Sequence, residues 1–445
     1  MRRAPPSPAR GARGRAIDAL IAVEEGAPGQ AAIAAQLDAE PPLADKDRGL
    51  ATELFYGTLR LERRLDAWLE AASDRGLRDL DTATLVAMRI GAYQLAALDR
   101  VPDFAALAAT VQAAKGRAPA GRIGFVNAIL RRLARERPWE QQAEAVLPPW
   151  QRRIVQRWAE RCGVEAEALL AAHERAPPVH VHVIAGARQD AASRWAEDGV
   201  EVAAVGSLPG VYEVLAGPFF GGALARDAAA IAQDAASAAI AEWVGAGPGL
   251  HVLDACAGRG GKALFLAASG AAVTATDLSA EKLALAAALA ERAGAPLAAT
   301  AALAVDDADA MAAVPGPDEG FDLALVDAPC SGLGTLRRRP EIGRRRTMAD
   351  VLRLAGLQRA ILESVAARVR PGGALVYAVC TLTDEESVGV VAPFLAAHPD
   401  WQIDPERPAW LDGWIGEDGA LRSHPLLHGA DCFYAVRLIR ATQSA

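Results

Sequence analysis

Cysteine is scarce in this chain, five residues among 445, and the five follow no regular spacing. That excludes a disulfide framework and predicts a reducing cytoplasm, where a thiol can stay free for chemistry. Lysine occurs only at positions 46, 115, 262 and 282, so nearly all positive charge rests on arginine. No uninterrupted apolar run approaches the roughly 18 residues of a membrane span, which predicts a protein without a membrane partner. The basic, proline-containing stretch Met1 to Arg15 has no apolar core, so it reads as a solvated tail and not as a secretory signal. A net charge of −8 excludes a chain coated in positive charge. The balance is uneven: residues 1–140 hold 21 Lys+Arg against 18 Asp+Glu, and the remainder holds 26 against 37. Nucleic-acid binding must therefore be local.

Helical periodicity is plentiful in the first 140 residues. Apolar positions recur at helical spacing in Ala16 to Val23, Leu50 to Leu69, Thr84 to Leu98, Phe104 to Lys115 and Gly124 to Leu133. Proline and glycine clusters separate them, which predicts an all-α bundle over 1–140. Arg60, Arg63, Arg64, Arg131, Arg132 and Arg135 crowd the helix ends, either as a phosphate-facing patch or as a solvated face shared with Glu62 and Asp66. Residues 141–235 read as a small α/β connector, with strands at Val179–Val183, Val200–Val205 and Val211–Leu215. His180 and His182 share one face of the first of these and are expected at the surface, since two histidines without a further ligand make weak metal evidence. His424 and His428 are read as incidental loop histidines, so no metal is expected.

From residue 236 to 445 the pattern becomes strand, turn, helix, repeated, which predicts a doubly wound, Rossmann-like α/β domain. In such sheets ligands bind outside the carboxyl ends of the strands. Three features fall there. The first is the turn Asp254-Ala-Cys-Ala-Gly-Arg-Gly-Gly-Lys262, whose Gly258, Gly260 and Gly261 let backbone approach a ligand ahead of a helix N-terminus. Asp277 closes the next strand, where an acid can accept ribose hydroxyls. Together they predict an adenosine cofactor, with NAD and S-adenosyl-L-methionine both open at this point.

The second feature is a pair of thiols, Cys330 in Asp-Ala-Pro-Cys-Ser-Gly and Cys380 in Val-Tyr-Ala-Val-Cys-Thr, each after an apolar strand. Hydride transfer needs no such nucleophile, whereas methylation of a pyrimidine at carbon 5 does. A thiolate adding to carbon 6 makes carbon 5 nucleophilic toward a sulfonium methyl. Cys162 and Cys256 are read instead as small buried groups. Asp327 is placed to accept from a cytosine amino group. The third feature is Leu336-Arg-Arg-Arg-Pro-Glu-Ile-Gly-Arg-Arg-Arg346. Six arginines would repel one another without an anionic partner, so Arg337, Arg338, Arg339, Arg344, Arg345 and Arg346 are expected to contact phosphates.

These motifs resemble those of the RsmB/Sun family of RNA cytosine-5 methyltransferases. The glycine turn resembles the family's Asp-Ala-Cys-Ala-Ala-Pro-Gly-Gly-Lys, Asp327 to Gly332 matches its fourth motif, and Tyr377-Ala-Val-Cys380-Thr resembles its sixth. Ala51 to Arg60, Arg89 to Leu95, Arg100 to Asp103 and Gly124 to Arg132 resemble a NusB-like RNA-binding domain. The resemblance implies S-adenosyl-L-methionine held by Cys256, Ala257, Gly258, Arg259, Gly260, Gly261 and Lys262. It places Asp277 and Asp307 at ribose and adenine, and Asp327 between cofactor and base. It implies Cys380 as nucleophile, Cys330 in product release, and 16S ribosomal RNA, free or partly assembled, as the partner of a monomeric enzyme. Alternatives are a transfer RNA or 23S substrate, or a non-catalytic assembly factor. The chain departs from the family pattern at Gly258-Arg259, His182, Ile184, Arg344, Asp384 and Cys432.

Overall fold

Alanine-rich periodic segments bury small side chains closely, and in the first part of the chain they build helices packed on helices. The computed structural model describes residues 11–141, 147–218 and 222–442; the first ten residues of the basic tail lie outside the described residues. The chain divides into two units. The first comprises residues 1–153, 166–176 and 336–345. Its bundle helices are Ala12–Glu24, Gly29–Asp38, Asp45–Ala72, Thr82–Ala97, Asp103–Ala114 and Ala120–Glu136. Five coincide with the expected segments. Gly29–Asp38 escaped because it buries only Gly29, Ala32 and Ile33, too sparse a stripe for periodicity to reveal. Ile17, Leu54, Phe55, Leu65, Leu69, Met88, Ile90 and Leu130 form the fully buried centre. The arginine-rich segment Leu336–Arg345 packs within this unit.

The second unit comprises residues 154–165, 177–335 and 346–445 and holds two sheets. The smaller is antiparallel, ordered β2-β3-β1-β4, from β1 (Val179–Val183), β2 (Glu201–Ala204), β3 (Val211–Ala216) and β4 (Ala230–Ala232). Here the histidine expectation fails. His180 and His182 are buried, because β1 is an interior strand covered on both faces. Val181 and Val183 pack toward Trp195, while His182 stacks on Phe265 at 3.5 Å between ring centroids. The imidazole is held by Gln233 Oε1 at 2.8 Å and Glu242 Oε1 at 3.0 Å, so its polarity is satisfied inside.

The larger sheet is ordered β10-β12-β9-β8-β5-β6-β7. β5 (His251–Asp254), β6 (Ala272–Asp277), β7 (Ala299–Ala302), β8 (Phe321–Asp327) and β9 (Val369–Val379) run parallel. β10 (Trp401–Ile403), β11 (Leu421–Arg422) and β12 (Tyr434–Arg440) add an antiparallel edge. Residues 323–326 of β8 and 374–379 of β9 are continuous apolar runs, as burial on both faces requires. Helices Gly261–Ala268, Ala280–Arg292 and Met348–Ala366 supply crossovers. The strand order reverses between β5 and β8, and that reversal opens a crevice at the strand ends.

Candidate active site

Four strands deliver a reactive side chain at or just past their carboxyl ends. Asp254 ends β5, Asp277 ends β6, Asp327 ends β8 and Cys380 follows β9. Cys330 lies three residues beyond β8, and its Sγ is 3.2 Å from Sγ of Cys380. Both cysteines are partly exposed. The bond to Cys380, then burial, holds the Cys330 thiol well above the ordinary thiol range, with the charge of Glu386 adding to the push. Cys330 therefore keeps its proton more firmly than an exposed thiol.

Lys262 Nζ donates to Asp327 Oδ2 at 2.6 Å, across the reversal between β5 and β8. Burial alone would lower the ammonium, but Asp327 and Asp254 outweigh it and the group stays charged. Asp254 is buried, with the Cys256 backbone amide its one hydrogen-bonding influence. Burial pushes it up to about 7, opposed by Lys262. Cys256, read as a small buried group, is only partly buried. Burial first, then the charges of Asp254, Asp327, Asp277 and Asp306, drive its thiol well above the ordinary range. A neutral thiol facing four carboxylates is no nucleophile.

The glycine turn is shaped by two needs. Gly258 and Gly260 both have positive φ, at 56° and 83°. A Cβ on Gly260 would also meet the Cβ of Ala286 at 2.5 Å, so helix Ala280–Arg292 packs where no larger residue fits. The Gly258 amide donates to Asp277 Oδ2 at 3.0 Å and the Ser279 amide to Asp277 Oδ1 at 2.8 Å. Each oxygen keeps a lone pair for a ribose hydroxyl. Asp307 caps the turn at Ala308 through Oδ1 alone, accepting from the Asp309 and Ala310 amides at 3.0 and 3.1 Å. Ala257 and exposed Arg259 complete the loop. Sequence reasoning missed Leu278, which stands 78% exposed directly after Asp277, an apolar face suited to an adenine ring. It also missed Glu386, which is buried just ahead of the helix Val388–Ala397.

The arginine segment finds its anions within the helical unit. Arg344 pairs with Glu24 at 2.5 Å and Glu62 at 2.6 Å. Arg345 donates to the carbonyls of Val23 and Ala27 at 3.1 and 2.6 Å. Arg337 is buried and donates to the Ala176 carbonyl at 3.4 Å. Arg338 is half-buried and Arg339 exposed. Arg346, in the second unit, donates to the Ser331 carbonyl at 3.0 Å, beside Cys330. The repulsion among arginines is thus offset internally as well as by any ligand. Other departures from the family pattern are likewise partnered. Asp384 accepts two bonds from Arg161, at 2.8 and 3.0 Å. Cys432 is fully buried and its amide donates to Gly334 at 3.0 Å.

Residues 243–439 match the family described as 16S rRNA methyltransferase RsmB/F, and residues 10–135 match the NusB family. A Mycobacterium tuberculosis protein named as a methyltransferase is 36% identical, over 99% of this chain and 98% of its own. Ribosomal RNA small subunit methyltransferase B of Thermus thermophilus is 34% identical, over 97% of this chain and 98% of its own. Among solved structures, PH0851 shares the fold with a TM-score of 0.74 at 23% identity, covering 98% of this chain and 99% of that one. NSun6 from Pyrococcus horikoshii, solved with SFG, aligns with a TM-score of 0.56 at 17% identity, over 67% of this chain and all of that one.

The cofactor of such a methyltransferase is S-adenosyl-L-methionine. The crevice fits it: Asp254, Asp277 and Asp327 end three neighbouring strands, an acidic rim that favours a sulfonium cation. An alignment at 34% identity over nearly the full length of both chains, with the family match over residues 243–439, carries the assignment: this chain belongs to the RsmB/F family of 16S ribosomal RNA methyltransferases.

Proposed function

We propose that the protein methylates carbon 5 of a cytosine in 16S ribosomal RNA through a covalent bond from Cys380 to carbon 6. The observation that carries this reading is the 3.2 Å approach of the two sulfurs at the mouth of the crevice. A cytosine ring is a poor nucleophile at carbon 5, and a sulfur at carbon 6 makes it an enamine. Cys380, directly after β9 and partly exposed, is the attacking thiolate. Asp327, held by Lys262, accepts from the cytosine amino group. S-adenosyl-L-methionine supplies the electrophilic methyl group. The carbon-5 proton must then pass to solvent water as the bond from carbon 6 to sulfur breaks and the ring double bond re-forms, and the protonated Cys330 assists that release by donating to the departing Cys380 sulfur. The target base must be unstacked to reach the thiols.

The NusB-like bundle and the exposed arginines of the 337–346 run, Arg339 foremost, contact phosphates of the RNA. The enzyme acts in the cytoplasm, as a monomer, on free or partly assembled 16S RNA. Methyl transfer from labelled cofactor onto an unmodified 16S transcript, followed by mapping of the product base, tests the reading. Label on cytosine carbon 5 is expected. Label on another atom, or on transfer RNA or 23S RNA in preference, would refute it.

A further inference from the structure

Glu386 is a carboxylate with no exposed surface, a costly arrangement unless every lone pair is engaged. Here it accepts from five donors. Oε1 takes the Ser331 amide at 2.7 Å and Gln358 Nε2 at 3.1 Å. Oε2 takes the hydroxyls of Ser331 at 2.6 Å, Thr381 at 2.7 Å and Thr383 at 2.9 Å. Ser331 directly follows Cys330, and Thr381 directly follows Cys380. The tie is reinforced at both ends. Gln358 also donates to the Pro329 carbonyl at 2.9 Å, next to Cys330, and the Ser331 and Thr381 hydroxyls that share Oε2 are thereby held 3.0 Å apart. Tyr377, buried on β9, donates its hydroxyl to the Glu386 carbonyl at 2.8 Å, fixing the acid itself.

We propose that Glu386 is a positioning residue of the two-thiol site: its carboxylate clamps the segment after Cys330 to the segment after Cys380 and so sets the separation of the sulfurs. It touches neither substrate nor cofactor. The two sulfurs sit on loops from adjacent parallel strands, and the pairing of β8 with β9 stops before either cysteine, at Ala328 N to the Ala378 carbonyl. Beyond it one backbone bond, from the Gly334 amide to the Cys380 carbonyl at 3.0 Å, joins the two loops, and the carboxylate supplies the remaining ties. The charge of Glu386 also helps keep Cys330 protonated, which suits a donor beside Cys380. The consequence for turnover rests on the cytosine-5 reading; the clamp itself does not.

The full-length chain with Glu386→Gln tests this, with Glu386→Asp as the conservative variant. Glutamine keeps the shape but turns an amide donor toward donors. The geometry is read with diamide, a diazene that takes up two hydrogens as the two thiols lose them and join as a disulfide; the linked Cys330–Cys380 peptide is quantified by mass spectrometry. Cross-linking in E386Q should slow by about tenfold or more, since a disulfide tolerates little misplacement. The kcat for methyl transfer should fall on the order of 100-fold, with KM for RNA and cofactor affinity within about twofold of wild type. E386D should recover part of both losses. Wild-type cross-linking in folded E386Q would overturn the clamp, and slower cross-linking with unchanged kcat would overturn its role in positioning the thiols for turnover. If E386Q does not fold, Thr381→Val must show both losses in smaller measure, and wild-type behaviour there overturns the proposal equally. If E386Q loses cross-linking while the wild-type enzyme labels an atom other than carbon 5, the clamp stands and the cytosine-5 reading falls.

Discussion

The arginine network of the helical unit and the crevice of the sheet unit treat buried charge in opposite ways. In the first, Arg89 pairs with Glu24, Glu62 and Asp66, and Arg344 returns to Glu24 and Glu62, so each charge meets its opposite. In the second, Asp254, Asp277, Asp306 and Asp327 gather around one thiol, and Lys262 and Lys282 offset only part of their charge. The difference separates a network that is complete within the protein from one that a positively charged ligand completes. Burial alone does not distinguish them; the accounting of partners does.

Substitutions can break this contrast. The largest effect should come from Cys380→Ala, which abolishes methyl transfer while cofactor binding by calorimetry stays near wild type; loss of cofactor binding would mean the thiol serves the crevice's shape instead. Next is Gly334→Ala. Gly334 bonds the Cys380 carbonyl at 3.0 Å, and a Cβ there would lie 1.9 Å from the Cys432 carbonyl oxygen. Backbone must shift, so kcat should fall sharply and stability drop by about 1–3 kcal/mol in thermal melts. Arg344→Ala should leave chemistry near wild type on a minimal substrate. It should cost the helical unit about 1–2 kcal/mol, as Glu24 and Glu62 lose a partner.

The smallest effect is a difference in the sign of pH dependence. At Glu24, burial would raise the carboxyl, but Arg344 and Arg89 outweigh it and hold it below its ordinary 4.5. Its contribution is full above 4.5 and is lost as pH falls through the lowered value. Asp254 runs the other way: raised from 3.8 to about 7, it favours the fold while protonated and contributes progressively less as pH climbs between those values. Melts across that range should show Glu24→Gln blunting the acid loss and Asp254→Asn removing the loss toward neutrality.

Much of this was legible in the sequence. Strand ends carrying Asp254, Asp277, Asp327 and the two cysteines were placed by hydrophobic runs bounded by turn residues, and the structure has them at those ends. What escaped was set by partners distant in sequence. His182 alternates with valines as an exposed residue would, yet both faces of its strand are covered. The anions for Arg344 lie about 280 and 320 positions away, at Glu62 and Glu24. Glu386 carries no motif that periodicity can read, because its meaning lies in five donors brought from three segments.

The most direct test of the cysteine chemistry is Cys330→Ala incubated with S-adenosyl-L-methionine and 16S transcript, then resolved on a denaturing gel. A protein–RNA adduct should accumulate, and it should vanish when Cys380 is also replaced by alanine. Normal turnover in C330A with no trapped species, or an adduct that survives loss of Cys380, would contradict the account.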